Sequence, residues 1–113
     1  MKNYFLCNKN DIQEGETKGF SINNNPDKQD IFVVKKNEQL FAYKNSCPHT
    51  GATLNWQPDI FMDYDNIYIQ CSIHGARFEI ETGLCVWGPC VNQKLRALKI
   101  NIVENKIYLA ADN

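Results

Sequence analysis

Cys47-Pro48-His49 and Cys71-Ser72-Ile73-His74 constrain this chain more than any other residues. They form a C-x-H … C-x-x-H pattern, with residues 50–70 between the two halves. His49 and His74 are the only 2 histidines present. Each half supplies one thiolate and one imidazole, so the two loops point to a shared metal held by Cys47, His49, Cys71 and His74. Thiolates are soft, anionic ligands and imidazole is a neutral borderline one. Zinc is one candidate for such a set. Structural zinc sites favour cysteines two to four apart and histidines three to five apart, and a C-x-H knuckle fits that spacing poorly. A domain that keeps the loops without a metal is the third reading.

The flanking residues narrow the choice. Cys47-Pro-His-Thr-Gly51-Ala52 and Cys71-Ser-Ile-His-Gly75-Ala-Arg-Phe78 each place a glycine soon after the histidine. A chain that wraps tightly around an inorganic group needs positive φ and close backbone approach, and glycine permits both. Thr82-Gly83 and Gly88-Pro89 follow, and a proline turn there can cover the site as a third loop. Together these motifs resemble the bacterial Rieske ferredoxins, over about Phe41 to Val103. The relatives in view are small stand-alone Rieske proteins, the ferredoxin components of ring-hydroxylating dioxygenases and nitrite reductase small subunits. Leu54–Asp59 and Gly83–Pro89 are similar to a branch with a lengthened first loop.

The resemblance implies a [2Fe–2S] cluster with Cys47 and Cys71 on one iron and His49 and His74 on the other. Neutral imidazoles in place of two thiolates leave less negative charge on the site, so adding an electron is easier than in plant-type ferredoxins. High-potential relatives carry a disulfide clamp between the two loops; the matching positions here are Ala52 and Ile73. They also carry hydroxyl donors where this chain has Ala76 and Phe78. Both departures place the expected potential at roughly −150 to −50 mV, the low end of the Rieske range. The implied fold is all-β: a basal β-sandwich or barrel from residues 1–44 and 91–113, with a cluster-binding sub-domain at 45–90, in one domain.

The chain of 113 residues is long enough for one core and has 43% hydrophobic residues to build it. A net charge of −1 speaks against nucleic-acid binding. No apolar run approaches membrane-spanning length, the longest being of the kind Ile31-Phe-Val-Val34. The N-terminal residues show neither a signal-peptide core nor twin arginines, so a cytoplasmic protein without membrane attachment is expected. Cys7, Cys85 and Cys90 are then spare thiols behaving as small hydrophobes, with a Cys85–Cys90 disulfide as the minor alternative.

Alternating apolar residues and turn signals predict strands at Tyr4–Asn8, Gly19–Asn23, Asp30–Lys35, Gln39–Lys44, Asn66–Cys71, Ala76–Ile80, Leu95–Val103 and Lys106–Ala110. Asn37-Glu38 and Glu104-Asn105 are expected as two-residue hairpin turns. Asn23–Asp27 reads as a polar loop, Asp11–Glu16 as a helical turn at most. Trp56–Asp65 is a long insertion of unassigned order, and its Asp59, Asp63 and Asp65 read as a solvated acidic loop. Trp56 and Trp87 are expected to pack over the sub-domain core, and Arg77 and Arg96 to be solvated.

The expected function is electron carriage without catalysis of its own, from a flavin- or NAD(P)H-linked reductase to an oxygenase. A redox-sensing or regulatory subunit is the alternative. A complete Rieske oxygenase is excluded by counting, because it needs a second iron held by two more histidines and a carboxylate. A monomer is expected.

Overall fold

The computed structural model describes residues 3–24, 27–48, 50–55, 57–73 and 75–110. His49, Trp56 and His74 lie outside the described residues. Among the described residues ten strands run in chain order: β1 (Asn3–Asn8), β2 (Thr17–Asn24), β3 (Asp27–Lys36), β4 (Gln39–Lys44), β5 (Ile69–Gln70), β6 (Arg77–Phe78), β7 (Cys85–Trp87), β8 (Ala97–Leu98), β9 (Ile100–Val103) and β10 (Lys106–Ala110). They form three sheets, ordered β1-β10-β9, β2-β3-β4-β8 and β5-β6-β7. Every strand pairing is antiparallel.

The middle sheet holds the other two together. In β3 the run Ile31-Phe32-Val33-Val34 is fully buried. Successive side chains point to opposite faces. Ile31 and Val33 therefore join Leu6, Ile12, Ala42, Leu98, Ile107 and Leu109 in one core. Phe32 and Val34 join Tyr43, Leu54, Phe61, Ile69, Phe78 and Leu95 in the other, which also contains Cys47, Cys71, Cys85 and Cys90. A strand covered on both faces needs no polar alternation, which is why this run reads as continuously apolar.

Both expected hairpin turns are present. Asn37 and Glu38 have φ of 52° and 68°, and Glu104 and Asn105 have 50° and 65°. Two consecutive positive-φ residues are the type I′ arrangement that matches strand twist. Glu14 caps the first turn from a distance: its carboxylate accepts the N–H groups of Asn37 at 2.6 Å and Glu38 at 3.1 Å. Those two bonds hold the Glu14 carboxyl below its ordinary range.

Several expected elements differ. The strand read at Leu95–Val103 is two strands in different sheets, because β8 pairs with β4 while β9 pairs with β10. Asn66–Cys71 shrinks to Ile69–Gln70, since Asp63 Oδ1 accepts the N–H groups of Ile67 and Tyr68 and winds the chain into a turn. Ala76–Ile80 shrinks to Arg77–Phe78, and Cys85–Trp87 is a strand the alternation did not reveal. The polar loop at Asn23–Asp27 is shorter, as β2 runs to Asn24 and β3 starts at Asp27. The helical turn falls earlier, at Lys9–Asp11.

The long insertion is an ordered flap. Phe61 is buried and stacks on Phe32, with centroids 4.3 Å apart and planes 9° apart. Asp59 Oδ1 accepts the Gly19 N–H at 2.8 Å, and the Asp59 carbonyl accepts the Thr17 hydroxyl at 2.7 Å. Asp59 stays exposed while it ties the flap to β2, and Asp63 is buried at 8%, so the reading of a solvated acidic loop is corrected at Asp63. Phe61→Ala removes the stacked ring from a full core and is expected to cost about 3–5 kcal/mol. Urea unfolding monitored by circular dichroism measures it; a loss below 1 kcal/mol would show that the flap does not anchor the fold.

Candidate metal centre

The two cysteine loops are built alike. Cys47 N–H donates to Ala52 O at 2.8 Å, and Gly51 N–H donates back to Cys47 O at 2.7 Å. Cys71 N–H donates to Ala76 O at 2.8 Å, and Gly75 N–H donates to Cys71 O at 2.9 Å. The spacing is the same, cysteine to residue five on and glycine four on. The glycines sit at φ of 78° and 71°, where a side chain would be strained. Ser72 N–H reaches across to Leu54 O at 2.8 Å, and Asn45 Oδ1 accepts the Leu54 N–H at 2.8 Å. The loops are therefore tied to each other and to the end of β4.

Cys47 and Cys71 are both buried in the same core, at 2% and 0% exposure. Their partners in the motif, His49 and His74, fall outside the described residues, as does Trp56. Two soft donors on twin glycine-turned loops, both shielded from water, suit an iron–sulfur group that exchanges electrons without exposing its sulfur ligands.

A third loop lies against the second. Gly88 has φ of 106°, and a Cβ placed there would fall 2.8 Å from Ala76 Cα. Only glycine lets these two backbones touch. The Gly88-Pro89 turn thus packs over the residue two past His74, close to where the sequence reading put a covering loop. Beside it, Trp87 is 58% exposed with Arg77 stacked at 5.5 Å from its ring, and Ile73 is exposed as well. This corrects the expectation that Trp87 packs inward. The register shifts between Arg77 and Phe78, which pair with Trp87 and Cys85, so β7 bulges there and Trp87 turns outward although Cys85, two residues before it, is buried. Arg77 is likewise not merely solvated, since its guanidinium also lies 3.9 Å from buried Asp63.

Cys85 and Cys90 are buried thiols without a disulfide. Cys90 Sγ lies 2.9 Å from Cys85 Sγ, and Cys85 Sγ lies 3.3 Å from the Trp87 carbonyl. Burial, the Cys85 contact and the neighbouring Cys47 push the Cys90 thiol up to about 12.

Comparison with known proteins agrees with this geometry. The Rieske [2Fe-2S] domain family matches residues 2–105. The ferredoxin component of the p-cumate 2,3-dioxygenase system of Pseudomonas putida is 27% identical over 104 residues, covering 92% of this chain and 81% of that protein. Ferredoxin CarAc of Metapseudomonas resinovorans is 25% identical over 107 residues, covering 95% of this chain and 92% of that one. Among solved structures, the ferredoxin of carbazole 1,9a-dioxygenase from Nocardioides aromaticivorans IC177 superposes with a TM-score of 0.73 at 22% identity, over 97% of this chain and 98% of that one. The class is a β-rich iron–sulfur domain. The chain belongs to the Rieske [2Fe-2S] domain family, and the group that family carries is one [2Fe–2S] cluster.

The base of the site hangs on Tyr43. Its hydroxyl donates to Ile80 O at 2.5 Å, and its ring fills the space beside Gly83, where a Cβ would meet Tyr43 at 2.8 Å. Burial, then the charge of Glu81, raises the Tyr43 phenol from 10.0 to about 12. The unfolded chain ionises first, so the buried neutral phenol contributes its full stability below pH 10 and loses it as pH rises through about 12. Tyr43→Phe is expected to cost about 1 kcal/mol near neutral pH and to lose less stability than the parent across that alkaline window. Denaturation midpoints at several pH values test both; parallel alkaline profiles would refute the assignment.

Proposed function

We propose that this chain is a single-electron carrier whose cluster is held by Cys47 and Cys71 on one iron and His49 and His74 on the other. The observation that carries the reading is the twin loop: two buried cysteines, each in the same hydrogen-bonded turn, each followed by the motif's histidine. When bound, the cluster supplies reversible one-electron storage. The chain's own residues shape its surroundings. Gly51 and Gly75 let the loops close, and Gly88 lets the third loop press on Ala76. Ala76 and Phe78, both buried, bring no side-chain donor to the second loop, which supports a potential at the low end of the Rieske range.

Such a carrier takes electrons from a flavin- or NAD(P)H-linked reductase and delivers them to a terminal oxygenase. The relatives named for p-cumate and carbazole systems support this role. One related ferredoxin has been solved in complex with its oxygenase. The exposed Ile73 and Trp87 beside the second loop supply an apolar face for brief docking. Residues 45–90 form the cluster-binding sub-domain in this reading, and 1–44 with 91–113 form the base. The cytoplasm is the proposed compartment; among the described residues no helix is long and apolar enough to cross a membrane.

The purified protein is expected to be red-brown, with about two irons and two inorganic sulfides per chain. Cys71→Ser should lose the visible absorbance and Cys85→Ser should keep it. Rapid mixing of the reduced protein with a ring-hydroxylating oxygenase component should reoxidise it faster than oxygen alone. A colourless protein holding one zinc would sink the reading.

A further inference from the structure

The net charge of −1 is unevenly spread. Of the 13 acidic residues, none falls in 45–58, 66–78 or 83–98, the segments that hold the two cysteine loops and the third loop. Those segments carry Arg77, Lys94 and Arg96 instead, all exposed. Acids gather elsewhere: Asp11, Glu16 and Asp59 line a cleft between the flap and the start of β2. The loop face is also where apolar side chains stand in water. Ile73, Val86, Trp87 and Val91 are exposed there. The Trp87 ring lies over the second loop, 3.6 Å from where a Cβ on Gly75 would be, and Arg77 stacks on that ring at 5.5 Å. The carboxylate beside Arg77, that of Asp63 at 3.9 Å, belongs to a side chain 7% exposed against 44% for Arg77. Asp63 Oδ1 is already occupied by the N–H groups of Ile67 and Tyr68. Anything that approaches this face therefore meets the guanidinium and the indole, with the anion behind them.

Exposed charge steers the approach of a partner, and an exposed aromatic anchors the contact. Arginine offers a planar fork that fits a carboxylate, and stacking on Trp87 restricts it before anything binds, so less freedom is lost on contact. We propose that Trp87 and Arg77 form a docking pair for a redox partner whose own face carries carboxylates around an apolar hollow. The indole enters the hollow and the guanidinium meets a carboxylate. Overall charge alone would send a chain of net charge −1 to a basic partner; the local charge of the loop face reverses that choice. The docking pair rests on the carrier reading above, which the iron and sulfide content of the unaltered protein tests separately.

Surfaces of defined chemistry test it. Cluster-loaded protein is adsorbed at low salt on gold coated with a mixed monolayer of carboxylate and methyl ends, or of ammonium and methyl ends. Voltammetry counts the electroactive protein at each bulk concentration and yields a dissociation constant for each surface. Tighter electroactive binding to the carboxylate–methyl surface is expected, weakening as salt screens the ion pair. Arg77→Gln is expected to weaken it about twofold to fivefold, the range of an exposed ion pair, while Arg77→Lys keeps the charge and stays nearer the unaltered protein. Trp87→Ala is expected to weaken it about fivefold or more, as loss of an aromatic anchor does. Lys106→Gln, which removes an exposed charge from β10, should leave it unchanged. Tighter binding to the ammonium–methyl surface would overturn the proposal. An equal loss in Lys106→Gln and Arg77→Gln would mark overall charge and overturn it too. If Trp87→Ala does not load its cluster, the unaltered protein and the Arg77 variants still decide. Cluster-loaded protein that binds both surfaces alike overturns the docking pair and leaves the carrier reading standing; protein without iron and sulfide overturns both.

Discussion

The burial of β3 on both faces is the constraint on which the rest depends. Ile31 and Val33 close one core and Phe32 and Val34 the other, so a single strand joins the β1-β10-β9 layer to the layer that bears the cysteine loops. Neither outer sheet is large enough to stand alone. The β5-β6-β7 sheet contains strands of two or three residues, and isolated sheets of that size are marginal in water. It persists because Phe78, Ile69 and Leu95 rest on Phe32 and Tyr43, with Phe61 from the flap completing the wall. Stability of the loop region is therefore set largely by residues far from the cysteines in sequence.

That arrangement explains what could and could not be read from the chain. Strand β4 and strand β10 were legible to the residue, because each combines apolar alternation with a two-residue turn of asparagine and glutamate at one end. The twin cysteine turns were legible because a glycine four residues after each cysteine is a local signal. What escaped were features made by long-range contacts. Asp63 reads as a surface acid, yet it is buried and shapes the turn that shortens β5. Glu14 reads as an unremarkable loop residue, yet it caps a hairpin more than twenty residues away. Cys85–Trp87 carries too few residues to show a period, and its pairing with β6 decides that Trp87 faces outward. Of the four candidate ligands, Cys47 and Cys71 fall among the described residues, and His49 and His74 lie outside them.

Around the cysteines, polar contacts to the backbone dominate over side-chain donors. The loops are shaped by N–H to carbonyl bonds within each turn, by Ser72 to Leu54 between them, and by Asn45 at their base. Rigid turns of this kind change little when charge arrives, so an added electron meets fixed dipoles and few side chains that must reorient. The hydroxyl donors found in high-potential relatives are replaced by the buried methyl of Ala76 and the ring of Phe78. Space beside Ala76 is occupied instead by Gly88, whose missing side chain lets the third loop come to van der Waals contact.

The third loop consequently has two faces with different duties. Its inner side, through Cys85 and Cys90, fills the core next to Cys47 with polarisable sulfur in place of hydrocarbon. Its outer side, through Trp87 stacked with Arg77, presents an aromatic surface at the rim of the second cysteine loop. The bulge in β7 produces this split, since in a regular strand Cys85 and Trp87 would share a face, and the turn at Gly88 brings Cys90 back inward. An apolar contact of modest size suits a carrier that must bind and release two different partners, because affinity that is too high would slow each exchange. The same few residues thus connect an exposed aromatic surface to the buried core that contains Cys47.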